Sequence, residues 1–383
     1  VNTVEHSIEA EMPSIYAALL LSIPLSLHSD TIRTTEPDVA VTVDSSRKVV
    51  IVSGGPYTIP AGRGGHDHAS TGGHGDHASN GSHDEHHSGG GHDGHGSGAA
   101  DDHGTHAVTP FQTFSWPVDG WLRGVKLRIT DQDGQPLSRQ LIHHINLINL
   151  DRRQLLYPAA ERILAIGQET EDIHLPASIG IPITRDATIG LVIAWHNPGA
   201  EEIAGARVEL AIEWLPTNTA PRPLDVLPVY LDVKYPVGQP VDFDLPAGQQ
   251  EFTADFTMPI EGRIIAAGGH LHDYGVDIEL LEVDGNGSKS IIKLPTTRDA
   301  DGRVSAVARK YPGIRGNGIK LRKGHTYRLV GRYDNTTGKT LTRGAMIHLV
   351  LLFAPKNPAD WPAVDLNEAD FQLDLKNLRE RRE

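Results

Sequence analysis

The stretch VAVTVDSSRKVVIVSGGPYTI, residues 39–59, alternates apolar and polar residues on both sides of a polar turn at residues 44–47. Successive side chains of an extended chain point to opposite faces, so Val39, Val41 and Val43 share one apolar face. The stretch therefore reads as strands joined by a turn. Similar runs recur at 122–129, 141–150, 188–196 and 207–214, with a shorter one beginning at Phe111. Beyond the Pro-rich stretch PTNTAPRPLDVLP, residues 216–228, strand signals return at 241–245, 251–258, 263–270, 276–283, 290–294, 327–333 and 345–353. Turn sequences such as Asp284-Gly-Asn-Gly and Asn335-Thr-Thr-Gly separate them. With 40 glycines, 25 prolines and 5% aromatic residues, the composition suits turn-rich β structure better than helical bundles. The expected fold is all-β: two tandem jelly-roll (β-sandwich) domains with a disordered His/Gly-rich insertion. The expected order is an N-terminal extension at 1–38 and a first sandwich at 39–217 that carries the insertion at 62–106. A linker at 218–228, a second sandwich at 229–364 and a charged surface tail at 365–383 follow. Residues 159–166 are expected as a short helix.

Composition also removes functions. The net charge of −14 repels a phosphate backbone, which excludes nucleic acid as a natural partner. The absence of cysteine removes disulfides, thiolate metal sites and cysteine nucleophiles together. A G-x-S-x-G elbow is also missing, which argues against a serine hydrolase. No apolar run approaches the roughly 18 to 20 residues that span a bilayer. The segment IYAALLLSIPLSL, residues 15–27, has the length of a signal-peptide core but is preceded by Glu5, Glu9 and Glu11. It is expected to pack on this protein or to dock on a protein partner or membrane complex. The chain opens at Val1, which reads as a processed terminus.

Histidine is the anomaly: 21 residues, many of them crowded between His66 and His106. Outside the insertion, His143 and His144 sit side by side in the apolar run LIHHINLINL. Two adjacent buried imidazoles must each find a partner, and a shared metal would serve both if a bulge turned them to one side. His196 ends the run IGLVIAWH, where a strand meets an Asn-Pro-Gly turn. His270 and His272 lie in AAGGHLHDYG, at the i, i+2 spacing that projects two imidazoles from one face of a strand. Gly268-Gly269 before them permits close backbone approach, and Asp273 after them would orient a ring. Met346 opens the strand signal in RGAMIHLVLLF, and His348 shares its face two residues on.

Taken in chain order, His143-His144, His196, His270-x-His272 and Met346 resemble the ligand series of the copper type II ascorbate-dependent monooxygenases. That group includes the peptidylglycine α-hydroxylating and dopamine β-monooxygenases. The stretch RYDNTTGKTLTRGAMIHLVLLF, residues 332–353, also looks like the family's final-domain pattern, and the resemblance spans 111–364. It implies tandem jelly rolls that each hold one copper and face each other across a solvent-filled cleft. His143, His144 and His196 would hold an electron-transfer copper; His270, His272 and Met346 would form the catalytic copper site. The implied activity is O2-dependent C–H hydroxylation of a small-molecule or peptide substrate, with two copper ions and ascorbate or a similar reductant. Imidazole suits both copper oxidation states and thioether favours Cu(I). His348 is a candidate for one further ligand. The animal members are rich in disulfides, whereas this chain has none.

The insertion HDHASTGGHGDHASNGSHDEHHSGGGHDGHG, residues 66–96, sets His and Asp in Gly/Ser surroundings and reads as a low-specificity tract for Cu, Zn or Ni. Two alternatives stand beside the oxygenase. One is a non-catalytic, membrane-extrinsic structural subunit that keeps the tandem sandwich, and the other is a periplasmic copper-binding protein with the His tract as its working part. A periplasmic or extracellular location is expected on either copper reading.

Overall fold

The computed structural model describes residues 30–32, 39–61, 106–168, 170–235, 241–285, 287–314 and 316–380. The segment 15–27, His6, His28 and the body of the His-rich insertion lie outside these residues. The described chain is almost entirely β and forms two jelly-roll sandwiches in series.

In the first sandwich, the larger sheet is centred on Val49–Ile59, Ile203–Pro216 and Gly120–Thr130, paired in that order and antiparallel. The stretch 39–59 folds as expected into two strands, Val39–Asp44 and Val49–Ile59, that pair with each other. Alternation does its work here: Val39, Val41, Val50 and Val52 are buried while their neighbours are more exposed. The facing sheet pairs Thr188–His196 with Ile142–Arg153, and the latter with Ala160–Ile166. Trp116, Trp195, Ile145, Leu147 and Ile189 fill the space between the sheets.

The second sandwich opposes a five-stranded sheet to a four-stranded one. The four-stranded sheet runs Leu227–Asp232, Ile347–Pro355, Gly262–Leu271 and Ile319–Leu321. Tyr327, Leu329, Leu349, Leu351 and Phe353 lie at its core.

Three expectations differ from the structure. Residues 159–166 form no helix; Ala160–Ile166 is a strand, because pairing with Ile142–Arg153 satisfies its backbone and buries Ala160, Ile163 and Ile166. The linker is shorter than 218–228. Leu224–Asp225 pairs in parallel with Ile179–Gly180, Val226 is fully buried in the first core, and Leu227 already belongs to the second sandwich. The tail is no loose surface segment either. The helix Ala369–Glu380 places Phe371, Leu375 and Leu378 on one stripe, at i, i+4 and i+7, against Ile148 and Ala160 of the first sandwich. Asp374 accepts two hydrogen bonds from Arg162, at 2.6 and 2.7 Å, and one from the Ala160 amide.

The two sandwiches are packed on each other. Ile265 and Ala354, from the second, belong to the first apolar core, and Leu155, from the first, belongs to the second. The Tyr157 hydroxyl accepts from the Asp232 amide at 3.0 Å, and the Trp361 indole donates to the Arg153 carbonyl at 3.0 Å. The C-terminal helix thus returns from the second sandwich and clasps the first.

Truncating Phe371, which is fully buried, leaves a cavity in that clasp. Phe371→Ala is expected to cost about 3 to 5 kcal/mol of stability, read as a lower denaturation midpoint in urea. A change within ±0.5 kcal/mol would show that the helix does not hold the sandwiches.

Candidate metal centre

The His143-His144 doublet lies near the start of Ile142–Arg153, in the antiparallel sheet of the first sandwich. Adjacent residues of a regular strand point to opposite faces. The bulge that would relax this is present. Ala194 pairs with His144 and Trp195 pairs with Ile142, so His143 is the extra residue. The two rings lie 4.0 Å apart.

In the second sandwich, His270 and His272 sit at the end of Gly262–Leu271, and His270 pairs directly with His348 on the neighbouring strand. Gly269 makes this close pairing possible. A Cβ at that position would stand 2.7 Å from the His348 carbonyl oxygen and 2.5 Å from a methyl of Ile278.

The packing of the sandwiches brings these two strand ends together. Among the described residues, one ring nitrogen each of His144, His270 and His272 converge, within 4.8 Å of one another. Ring centroids are 5.2 Å apart for His144 and His270, and 5.3 Å apart for His270 and His272. Imidazoles on one tetrahedral ion, with metal–nitrogen bonds of about 2.0–2.1 Å, hold their centroids roughly 5 Å apart. The trio fits that spacing after a small inward adjustment. His143 lies 6.3 Å from His272 and is not one of the convergent three.

This grouping differs from the two trios expected from the sequence. His144 leaves His143 and His196 and joins His270 and His272. His196 is half-buried at the end of Thr188–His196, outside the convergent three. Met346 is buried, and its backbone is fixed on both sides by Tyr333, whose hydroxyl donates to the Met346 carbonyl at 2.6 Å and accepts from its amide at 3.1 Å. The junction that brings the strand ends together is built on shared apolar packing at Ile265, Ala354 and Leu155, in place of the solvent-filled cleft the resemblance implies.

Asp273, expected to orient a ring, accepts from the Val304 amide at 2.9 Å, a tie between segments far apart in sequence, and lies close enough to His270 to interact with it electrostatically. The carboxylate against an imidazole is Asp232, whose Oδ1 contacts Nδ1 of His348. Sequence reasoning missed Asp232, a single acid that ends the apolar run LPVYLD. His174 and His325 have ordinary surface partners, Glu213 and Glu282. A cleft of about 380 Å³ on the outer face of the first sandwich, lined by Arg47, Lys48, Arg123 and Lys126 among others, contains none of the histidines.

The donor set suits a metal ion. Nε2 of His144 is buried and has no hydrogen-bond partner, a costly state for an imidazole nitrogen. Burial, reinforced by the rings of His143, His270, His272 and His348, holds His144 well below the usual histidine range. Burial likewise takes His348 down to about 4, despite the carboxylate beside it. Both rings are therefore neutral near pH 7, the form that binds metals. Three imidazoles are compatible with copper or zinc, and copper stands higher in the affinity order.

The same shifts set a pH dependence for the metal-free protein. Above about pH 6.5 these rings are neutral in the folded and unfolded chains alike. As pH falls from there toward 4, the unfolded chain takes up protons that folded His348 refuses, so stability declines by up to about 1.4 kcal/mol per pH unit. His144 adds a loss in the same direction. Urea midpoints measured from pH 7 to pH 4 should fall for the native chain and fall less for His348→Gln. Parallel curves for the two proteins would contradict this origin.

No family model matches the sequence, and no curated protein matches it. Among solved structures, the chain is similar to the major capsid protein P2 of bacteriophage PM2. The TM-score is 0.34 at 12% identity, over 66% of this chain and 99% of that one. It is also similar to a chain in the atomic structure of Sulfolobus Turreted Icosahedral Virus, with a TM-score of 0.32 at 12% identity, over 72% of this chain and 95% of that one. Both are likenesses of fold alone.

Proposed function

We propose that this protein is a copper-dependent, monooxygenase-like protein with its centre at the junction of the two jelly rolls. One observation carries the reading: His144, from the first sandwich, meets His270 and His272, from the second, with one ring nitrogen of each within 4.8 Å of the others. Within this group the buried Nε2 of His144 has no hydrogen-bond partner, and a metal ion would use its lone pair. Bound copper would supply one-electron and dioxygen chemistry. The chain's own part is to hold His144 neutral, to aim the rings from strand ends, and to fix the distance between the sandwiches by packing. The sequence resemblance supports hydroxylation of a C–H bond with an ascorbate-like reductant. The His-rich segment 62–106 fits a role in collecting metal for the centre. An extracytoplasmic location belongs to the same proposal.

A second reading is favoured by the origin of the ligands. Because they come from both sandwiches, a metal there would also rivet the two together, as a structural site in a non-catalytic subunit would.

Full-length protein loaded with copper and then challenged with a chelator separates these readings. The oxygenase reading expects tightly retained copper and substrate-dependent oxygen uptake with ascorbate, across a panel of small molecules and peptides. His144→Ala is expected to weaken retention by at least about tenfold and to remove the uptake. Retained copper or zinc without any uptake supports the structural site. Two retained coppers per chain would fit the family's pattern, and one would fit the single trio. Wild-type protein that retains no metal sinks the proposal.

A further inference from the structure

The convergent trio leaves one imidazole of the cluster unexplained. His348 lies directly opposite His270 in the antiparallel sheet, so both side chains leave the same face. Their rings are nearly parallel, 27° apart in plane, with centroids at 6.0 Å. That spacing is wider than the 5.2 and 5.3 Å within the trio, and His348 is not one of the three residues whose nitrogens converge, so its ring must move inward to join them. His348 is also near enough to His144 to help hold that ring neutral. It therefore borders the trio on the side of the second sandwich.

The other side of the His348 ring is occupied by Asp232. This carboxylate is 3% exposed and ends the strand Leu227–Asp232, which pairs with the strand of His348. Its Oδ1 meets Nδ1 of His348. The Asp232 amide donates to Tyr157 of the first sandwich at 3.0 Å, so the carboxylate is anchored at the same junction that brings the trio together. A buried carboxylate needs a proton donor, and an imidazole in contact with it is drawn into the tautomer with the proton on Nδ1. Nε2, at the opposite end of the ring, is then left as a lone pair. This is the arrangement by which proteins fix the orientation of a metal-binding histidine and raise its basicity.

We propose that His348, oriented by Asp232, is a fourth imidazole ligand, so that the centre is a four-histidine site for a copper ion built from His144, His270, His272 and His348. The inference rests on the copper reading above and deepens it. Asp232 is a positioning residue that acts through His348. Met346, which lies between the strands Leu341–Ala345 and Ile347–Pro355, is not required as a ligand in this arrangement.

The test uses full-length protein loaded with Cu(I) and challenged with a chelator that clears weakly held metal, followed by X-ray absorption spectroscopy of the retained copper. Wild type is expected to show four imidazoles and no sulfur. His348→Gln, which keeps much of the side-chain volume, is expected to show three. Asp232→Asn is expected to keep four imidazoles while losing copper to the chelator about 10 to 100 times more readily. Three imidazoles in both wild type and His348→Gln overturn the fourth ligand and leave the trio standing. Three imidazoles and a sulfur in both proteins do the same and assign the position to Met346. Wild type that retains no copper overturns the centre itself, and this inference with it.

Discussion

Three imidazoles from two sandwiches occupy one small volume here only because the sandwiches are held together by apolar packing. Ile265 and Ala354 lie in the core of one sandwich while belonging to the strands of the other, and Leu155 makes the reverse crossing. The C-terminal helix adds Phe371, Leu375 and Leu378, together with the bidentate Arg162–Asp374 pair. None of these residues could touch a metal. They set the distance between the strand end of His144 and that of His270 and His272, and everything chemical at the junction depends on that distance.

Each strand end meets this constraint with a different local device. The first sandwich uses a β-bulge, which places His143 outside the regular ladder and lets both rings of the doublet lie within 4.0 Å. The second uses ordinary alternation, which puts His270 and His272 on one face, with Gly269 allowing the neighbouring strand to come close. Burial then keeps His144 uncharged, since protonation in this setting would place a cation in a medium that solvates it poorly. The result is a set of donors prepared for a cation in a protein whose overall charge of −14 also attracts cations.

Much of the fold was legible from local pattern. The alternating stretch 39–59 became two paired strands, and Thr188–His196 has the bounds its pattern suggested. The exceptions have physical reasons. Ala160–Ile166 has residues that tolerate a helix, and only the partner strand Ile142–Arg153 makes the extended form better. The tail read as a surface segment because charged residues surround the stripe Phe371, Leu375 and Leu378 that packs on the first sandwich. At the centre, the doublet and the His-x-His pair stood out by residue type and spacing. Asp232 did not, because a single acid at a strand end has no periodicity to mark it.

What the sequence determined alone was the class of structure and the supply of ligands. Alternation every second residue dictates strands, and the absence of cysteine leaves histidine as the main nitrogen or sulfur donor for a metal. What only the tertiary structure decided was which histidines meet. The grouping of His144 with His270 and His272, and the pairing of His348 with Asp232, join residues more than a hundred positions apart. Spacing along a chain governs contacts within one strand or turn. Contacts between sandwiches follow from how two cores share their apolar surface, and no local pattern encodes that.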